Sequence, residues 1–199
     1  MEAVDIGTDI IVAQGTEAGG HGATRSTLAL VPAVVDAVRK RNDEIVVVAA
    51  GGIADGRGLA AALMLGAQGA LLGTRFLASD EALTSAAAKA KLVAARGDDT
   101  VRTRVFDIVR NLDWPALYTG RALQNAFSRQ WHGRDAELEK SLPAEAQRYT
   151  RAAEANDLDT AVVFAGECVD LIHDVKPAAA IVAALVHEAE AALRSNLSR

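Results

Sequence analysis

"IVVVAAGGIADGRGLAAALMLGAQGALLGTRF", residues 45–76, decides the fold class. An unbroken β-rich run, Ile45 to Ala49, ends in paired glycines. Asp55 then stands where a helix N-cap belongs, Leu59, Ala62 and Leu63 follow at helical spacing, and Gly66 supplies a C-terminal stop. A second apolar run, Ala70 to Leu72, closes on Gly73 and Thr74. Neither run alternates, which suits strands buried on both faces of a parallel sheet. Upstream, Ile10 to Ala13 is a third run of the same kind. Between it and Ile45, apolar residues recur at helical spacing at Leu28, Val31, Val34, Val35 and Val38. Pro32 fits a first turn there, and Arg39, Lys40 and Arg41 crowd the end, where cations suit the helix dipole. The order is β-α-β-α-β, with right-handed crossovers expected.

From about Asp80 the pattern changes. Residues 80–96, 143–155 and 177–194 all read as helices, and the last buries a stripe of Ile181, Leu185, Val186 and Ala189. Residues 111–134 between them read as an irregular connector. Two regions result: an α/β part over 1–79, and a mainly helical part over 80–199 whose last helix packs back on the first.

The 199 residues suffice for one good core. Half of them are hydrophobic, the net charge is -5 and the pI about 5.4. Nucleic acid calls for a basic face, so that partner is not expected. A phosphorylated small molecule remains open, because backbone N–H groups bind phosphate without net positive charge. The single cysteine, Cys168, allows no internal disulfide and fits a reducing cytoplasm. No apolar run approaches the ~20 residues of a membrane span, and the first residues carry no hydrophobic signal region.

Each of the three strands ends in glycines: "AQGTEAGGHG" (13–22), "AAGGIADGRG" (49–58) and "LLGTRF" (71–76). In parallel α/β folds ligands sit beyond the carboxyl ends of the strands, so three such loops on one edge point to one site. Gly51 and Gly52 turn N–H groups inward, and Gly73 and Thr74 add an N–H and a hydroxyl, which together read as a phosphate grip. The loops lack the G-x-G-x-x-G pattern of a dinucleotide fold. His21 lies beside this grip on a flexible glycine loop, and an imidazole moves a proton near neutral pH. His132, His173 and His187 read as structural or surface residues, and no cluster has metal-ligand spacing.

With these loops in view, the chain resembles the nitronate monooxygenases, formerly 2-nitropropane dioxygenases. "AQGTEAGGHG", "LVPAVVDAV", "VAAGGIADGRGLAAALMLGAQGALLGTRFLA" and "DTAVVFAGECVDLI" carry the resemblance, in that order, over nearly the whole chain. The resemblance implies a TIM-barrel enzyme with FMN as cofactor. Gln14, Gly19 and Gly20 match positions near the flavin, and Gly51, Gly52, Gly73 and Thr74 match the phosphate-binding segment. Leu71 and Leu72 stand where family members often carry Gln-Met, which leaves backbone contacts but no glutamine side chain. His21 matches the active-site histidine, and Phe164, Gly166 and Glu167 match a segment returning towards the flavin pocket. The implied chemistry is oxidation of nitronates or nitroalkanes by dioxygen, giving a carbonyl compound and nitrite or related nitrogen oxides.

A (β/α)8 barrel typically takes ~250 residues and eight strands. The fold expected here is therefore α/β, the C-terminal part of a TIM barrel (about three β/α units, strands 6 to 8) followed by a mainly helical region. Such a piece, truncated or split, is expected to bind FMN weakly or not at all when alone. Two alternatives share the motifs: an FMN-dependent enoyl-[acyl-carrier-protein] reductase, and a non-catalytic barrel fragment completed by a partner chain.

Overall fold

The computed structural model describes residues 2–197. The element order is α1 (Glu2–Asp5), β1 (Ile10–Gln14), β2 (Gly20–Gly22), α2 (Thr27–Arg39), β3 (Val46–Ala50), α3 (Gly56–Met64), β4 (Gly69–Leu71), α4 (Thr74–Leu77), α5 (Ala86–Ala94), β5 (Thr100–Thr103), α6 (Val105–Val109), β6 (Thr119–Leu123), α7 (Ala126–Trp131), α8 (Asp135–Lys140), α9 (Leu142–Glu154) and α10 (Ala178–Leu197). Strands β1, β3 and β4 form a parallel sheet in the order β1-β3-β4, with Val12 opposite Val48 and Ala50 opposite Leu71. The fold is α/β, and its three parallel strands are the three runs read from sequence, each within a residue of its expected bounds.

One face of this sheet carries the core. Ala13, Val47 and Ala49 pack against Val31, Val35 and Val38 of α2 and Ala62 of α3. The other face is open: Ile10 is 54% exposed, Val12 43% and Leu71 51%. The strands are thus not buried on both faces, as their unbroken apolar runs suggested, because both crossover helices lie on the same side.

Local signals set several helix ends as expected. Asp55 Oδ1 accepts from the Gly58 N–H at 3.1 Å, and Gly66 takes a left-handed φ of 93° just past α3. Other details differ. Helix α2 begins at Thr27, so Pro32 sits inside it rather than in its first turn. The start is moved upstream by a remote cap: the Glu17 carboxylate accepts from the Thr27 N–H at 2.9 Å, while Ser26 makes no side-chain cap. Leu63 and Val186, expected in apolar stripes, are exposed. Helix α3 buries the expected Ala62 together with Ala60, and α10 buries the expected Ile181, Leu185 and Ala189. These two helices pack closely, with the Gly56 N–H donating to Glu188 Oε2 at 2.9 Å.

The second half is not only helices. A second sheet, antiparallel and ordered β2-β6-β5, draws Gly20–Gly22 onto Thr119–Leu123. The expected irregular connector at 111–134 therefore holds a strand and helix α7. Helix α5 starts at Ala86 rather than Asp80: Ser85 Oγ accepts from the Ala88 N–H at 3.2 Å, and Asp80 donates its N–H to Lys176 O instead. Among the described residues no helix is long and apolar enough to cross a membrane.

Candidate functional site

The carboxyl ends of β1, β3 and β4 open on a cavity of about 290 Å³. Its lining includes Gln14, Gly19, Gly20, His21, Gly51, Gly52, Leu71, Gly73 and Thr74, so most of the residues singled out from sequence meet there. Phe164 and Gly166 join them from the later chain. Leu72 does not: it packs into the core on the helix side of the sheet, as alternation along an extended chain requires. Glu167 also turns away, its Oε1 lying 2.8 Å from Arg121 Nη2. His132, His173 and His187 are exposed, and no group of three or more metal-ligating side chains forms among the described residues.

The glycines do local work that the cavity needs. Gly51 and Gly52 have φ of 101° and 74°, conformations that other residues rarely adopt. The N–H groups of Gly52 and Gly73 have no hydrogen-bond partner among the described residues. Thr74 is buried, and its hydroxyl accepts from the Gly166 N–H at 2.9 Å, tying the returning segment to the end of β4. Arg75, the cation nearest these amides in sequence, donates to Asp174 O and Oδ1 at 2.9 and 2.8 Å. Arg75 is thus engaged away from these loops, whose unpartnered polar groups are main-chain amides.

His21 is held in a strand rather than on a flexible loop. In β2 it pairs with Gly120 of β6, and Gln14 Nε2 donates to its carbonyl oxygen at 2.6 Å. Its ring is fixed on three sides. Nε2 lies 2.9 Å from Oδ1 of Asp107, a residue only 4% exposed. Trp114 stacks on it with centroids 3.9 Å apart and planes 7° from parallel, and Phe164 lies tilted at 5.7 Å.

Two arginines brace the preceding loop. Arg102 Nε and Arg121 Nε both donate to Thr16 O, at 3.1 and 2.9 Å. Arg102 Nη1 reaches Gly22 O and Thr119 O, and Arg121 Nη1 reaches Thr100 Oγ1 at 3.1 Å. Burial, with the Arg121 guanidinium adding to it, pulls the Arg102 pKa below its ordinary value. Sequence reasoning missed Asp107, Trp114 and both arginines. The one available signal was an acidic residue inside an apolar run, "VFDIV" at 105–109.

Cys168 also lines the cavity, and burial pushes its thiol up to about 11. At about pH 8 its alkylation by iodoacetamide is expected to run about 10²-fold slower in the native chain than in urea, since the thiolate is the reacting form. Mass spectrometry of timed samples reads the difference, and equal rates would refute the burial argument.

A cavity at the ends of parallel strands, lined by glycines and by a carboxylate-bound imidazole, has the form that small-molecule sites take in α/β proteins. A family-wide sequence profile described as nitronate monooxygenase matches residues 1–188, and the chain belongs to that family. It is 41% identical over 191 residues to a nitronate monooxygenase of Neurospora crassa, covering 92% of this chain and 49% of that protein. It is 41% identical over 197 residues to the nitronate monooxygenase npaC of Metarhizium robertsii, covering 94% and 54%. Among solved structures, FabK from Thermotoga maritima superimposes with a TM-score of 0.79 at 32% identity, over 99% of this chain and 59% of that one. A nitroalkane oxidase from Streptomyces ansochromogenes gives 0.79 at 31%, over 98% and 55%. The chain thus spans about half the length of the curated relatives it matches.

Proposed function

We propose that this chain forms three β/α units of an FMN-dependent (β/α)8 barrel, followed by a mainly helical region, and that the assembled site oxidises alkyl nitronates or nitroalkanes with dioxygen. The observation that carries the reading is the convergence of three strand ends and the His21 imidazole on one cavity. The exposed apolar face of Ile10, Val12 and Leu71, on a sheet with β1 and β4 at its edges, supports a barrel whose other strands come from further polypeptide.

The residues present fit FMN. Gly52 and Gly73 offer unengaged amides for a phosphate, and Ala50, Ile53, Leu71 and Leu77 line an apolar wall suited to a flat ring system. FMN, when bound, supplies the electron transfer between nitronate and dioxygen. The chain's own residues do the rest. His21 takes the α-proton of a neutral nitroalkane as the neutral imidazole, and in its doubly protonated form holds the anionic nitro group of a nitronate. Trp114 and Phe164 shield the imidazole from water, which strengthens both interactions. The likeness to FabK favours a second reading, an FMN-dependent enoyl-[acyl-carrier-protein] reductase.

Titration of FMN into the chain, followed by flavin fluorescence, is expected to show weak binding that Gly73→Val abolishes. At saturating FMN, oxygen uptake is expected with a nitronate and not with NADH plus a crotonyl thioester. The reverse pattern selects the reductase. Stoichiometric flavin in the chain purified alone would overturn the partial-barrel reading, and no flavin effect at all would leave a binding partner without chemistry.

A further inference from the structure

We propose that Asp107 is a positioning residue that fixes the proton of His21 on Nε2, so that Nδ1 is the nitrogen presented to substrate. The inference rests on the nitronate reading of the site and deepens it.

At 2.9 Å, Nε2 and the Asp107 carboxylate oxygen cannot face each other lone pair to lone pair, so one must carry hydrogen. The His21 ring is the side chain that reaches this buried carboxyl group, and the imidazole N–H donates to its oxygen. By accepting at Oδ1, Asp107 selects the tautomer with hydrogen on Nε2. Nδ1 makes no hydrogen bond among the described residues and is left with its lone pair. The ring is also held against rotation. Trp114 covers one face at 3.9 Å, and Gly120 opposite His21 in β6 leaves no side chain to wedge the ring aside. A Cβ at Gly120 would stand 3.6 Å from Nε2 and 3.0 Å from Phe164 Cε1.

The consequence for a neutral nitroalkane is a balanced proton transfer. The α C–H bond breaks, the proton forms a new N–H bond at Nδ1, and the electron pair stays on the substrate as its nitronate. The imidazolium so formed, with a proton on each nitrogen, is stabilised by the carboxylate already bonded at Nε2. No oxidant enters this step.

The tautomer is read directly by a long-range proton–nitrogen NMR correlation on the ¹⁵N-labelled chain in mildly alkaline buffer, with neither flavin nor nitro compound present. The spectrum of His21→Gln identifies which of the four histidine patterns belongs to His21. The expected result is a protonated Nε2 and a bare Nδ1 in the wild type, and a shift towards a tautomer mixture in Asp107→Leu. A wild-type proton on Nδ1 overturns the proposal, as does an unchanged pattern in an Asp107→Leu chain with native near-ultraviolet circular dichroism. Should that variant fail to fold, the wild-type assignment alone decides. Because no flavin or substrate is involved, this result stands or falls separately from the oxygen-uptake assay.

Discussion

Gly15→Ala is expected to lower the stability of the chain by about 3 kcal/mol or more, beyond the common cost of overpacking a core. A Cβ at this position would lie 2.0 Å from Thr27 Oγ1, 2.3 Å from Thr27 N and 2.6 Å from Glu17 Oε2. These three atoms are the cap of α2: the Glu17 carboxylate accepts from the Thr27 N–H and lies 2.8 Å from its hydroxyl. The hydroxyl is also 3.0 Å from Gly51 O, so one added methyl strains both the helix start and the turn after β3. Thr27→Ala removes the hydroxyl and is expected to cost about 1 kcal/mol by itself. It should not rescue Gly15→Ala, because the backbone nitrogen at 2.3 Å cannot be deleted. Urea unfolding of the two single variants and the double variant measures this. A Gly15→Ala chain within about 0.5 kcal/mol of wild type, the range of a neutral surface change, would show that the loop relaxes freely and that its packing does not fix the cavity.

What could be read from the sequence was local. Apolar runs ending in glycine located β1, β3 and β4, and Asp55 and Gly66 marked the ends of α3, because each signal lies within a few residues of the element it sets. Helical spacing gave the apolar stripes of α2 and α10 but not their width, so Val186 was placed inside when α10 leaves it in solvent. The second sheet escaped because its strands are made by pairing rather than propensity. Gly20–Gly22 has no strand character until β6 lies beside it, and Arg102 opposite Arg121 does not look like a sheet pair. Those arginines face each other because both donate to Thr16 O, far back in the chain. The site divides the same way. Its glycines and His21 were legible as loop composition, whereas Asp107 stands 86 residues from the imidazole it meets. Nothing within a few residues of either one announces the other.

His21→Gln is expected to separate the two tasks assigned to that side chain. With a neutral nitroalkane the α-proton must leave before electrons can, and loss of the base should slow turnover by about 10²–10⁴-fold. With a preformed nitronate no proton needs removal. There the ring, in its doubly protonated form with Nε2–H given to Asp107, only donates from Nδ1 to an anionic nitro group, and its loss should cost about 10-fold, as for one bond to a charged partner. Glutamine suits the comparison because its amide cannot act as a base, and any hydrogen bond it still donates to the nitro group only lessens the loss on the nitronate. The bracing of β2 should survive, since Gln14 binds the carbonyl oxygen of residue 21 rather than its side chain. The measurement is oxygen uptake by the FMN-loaded protein on the two ionic forms of the same nitro compound. The loss must fall mainly on kcat for the neutral form, because the missing step follows binding. Equal losses on both forms would mean that the imidazole binds the nitro group but does not take the proton. The cavity would then have to draw its base from elsewhere, and Asp107, already bonded to Nε2, is too enclosed to serve.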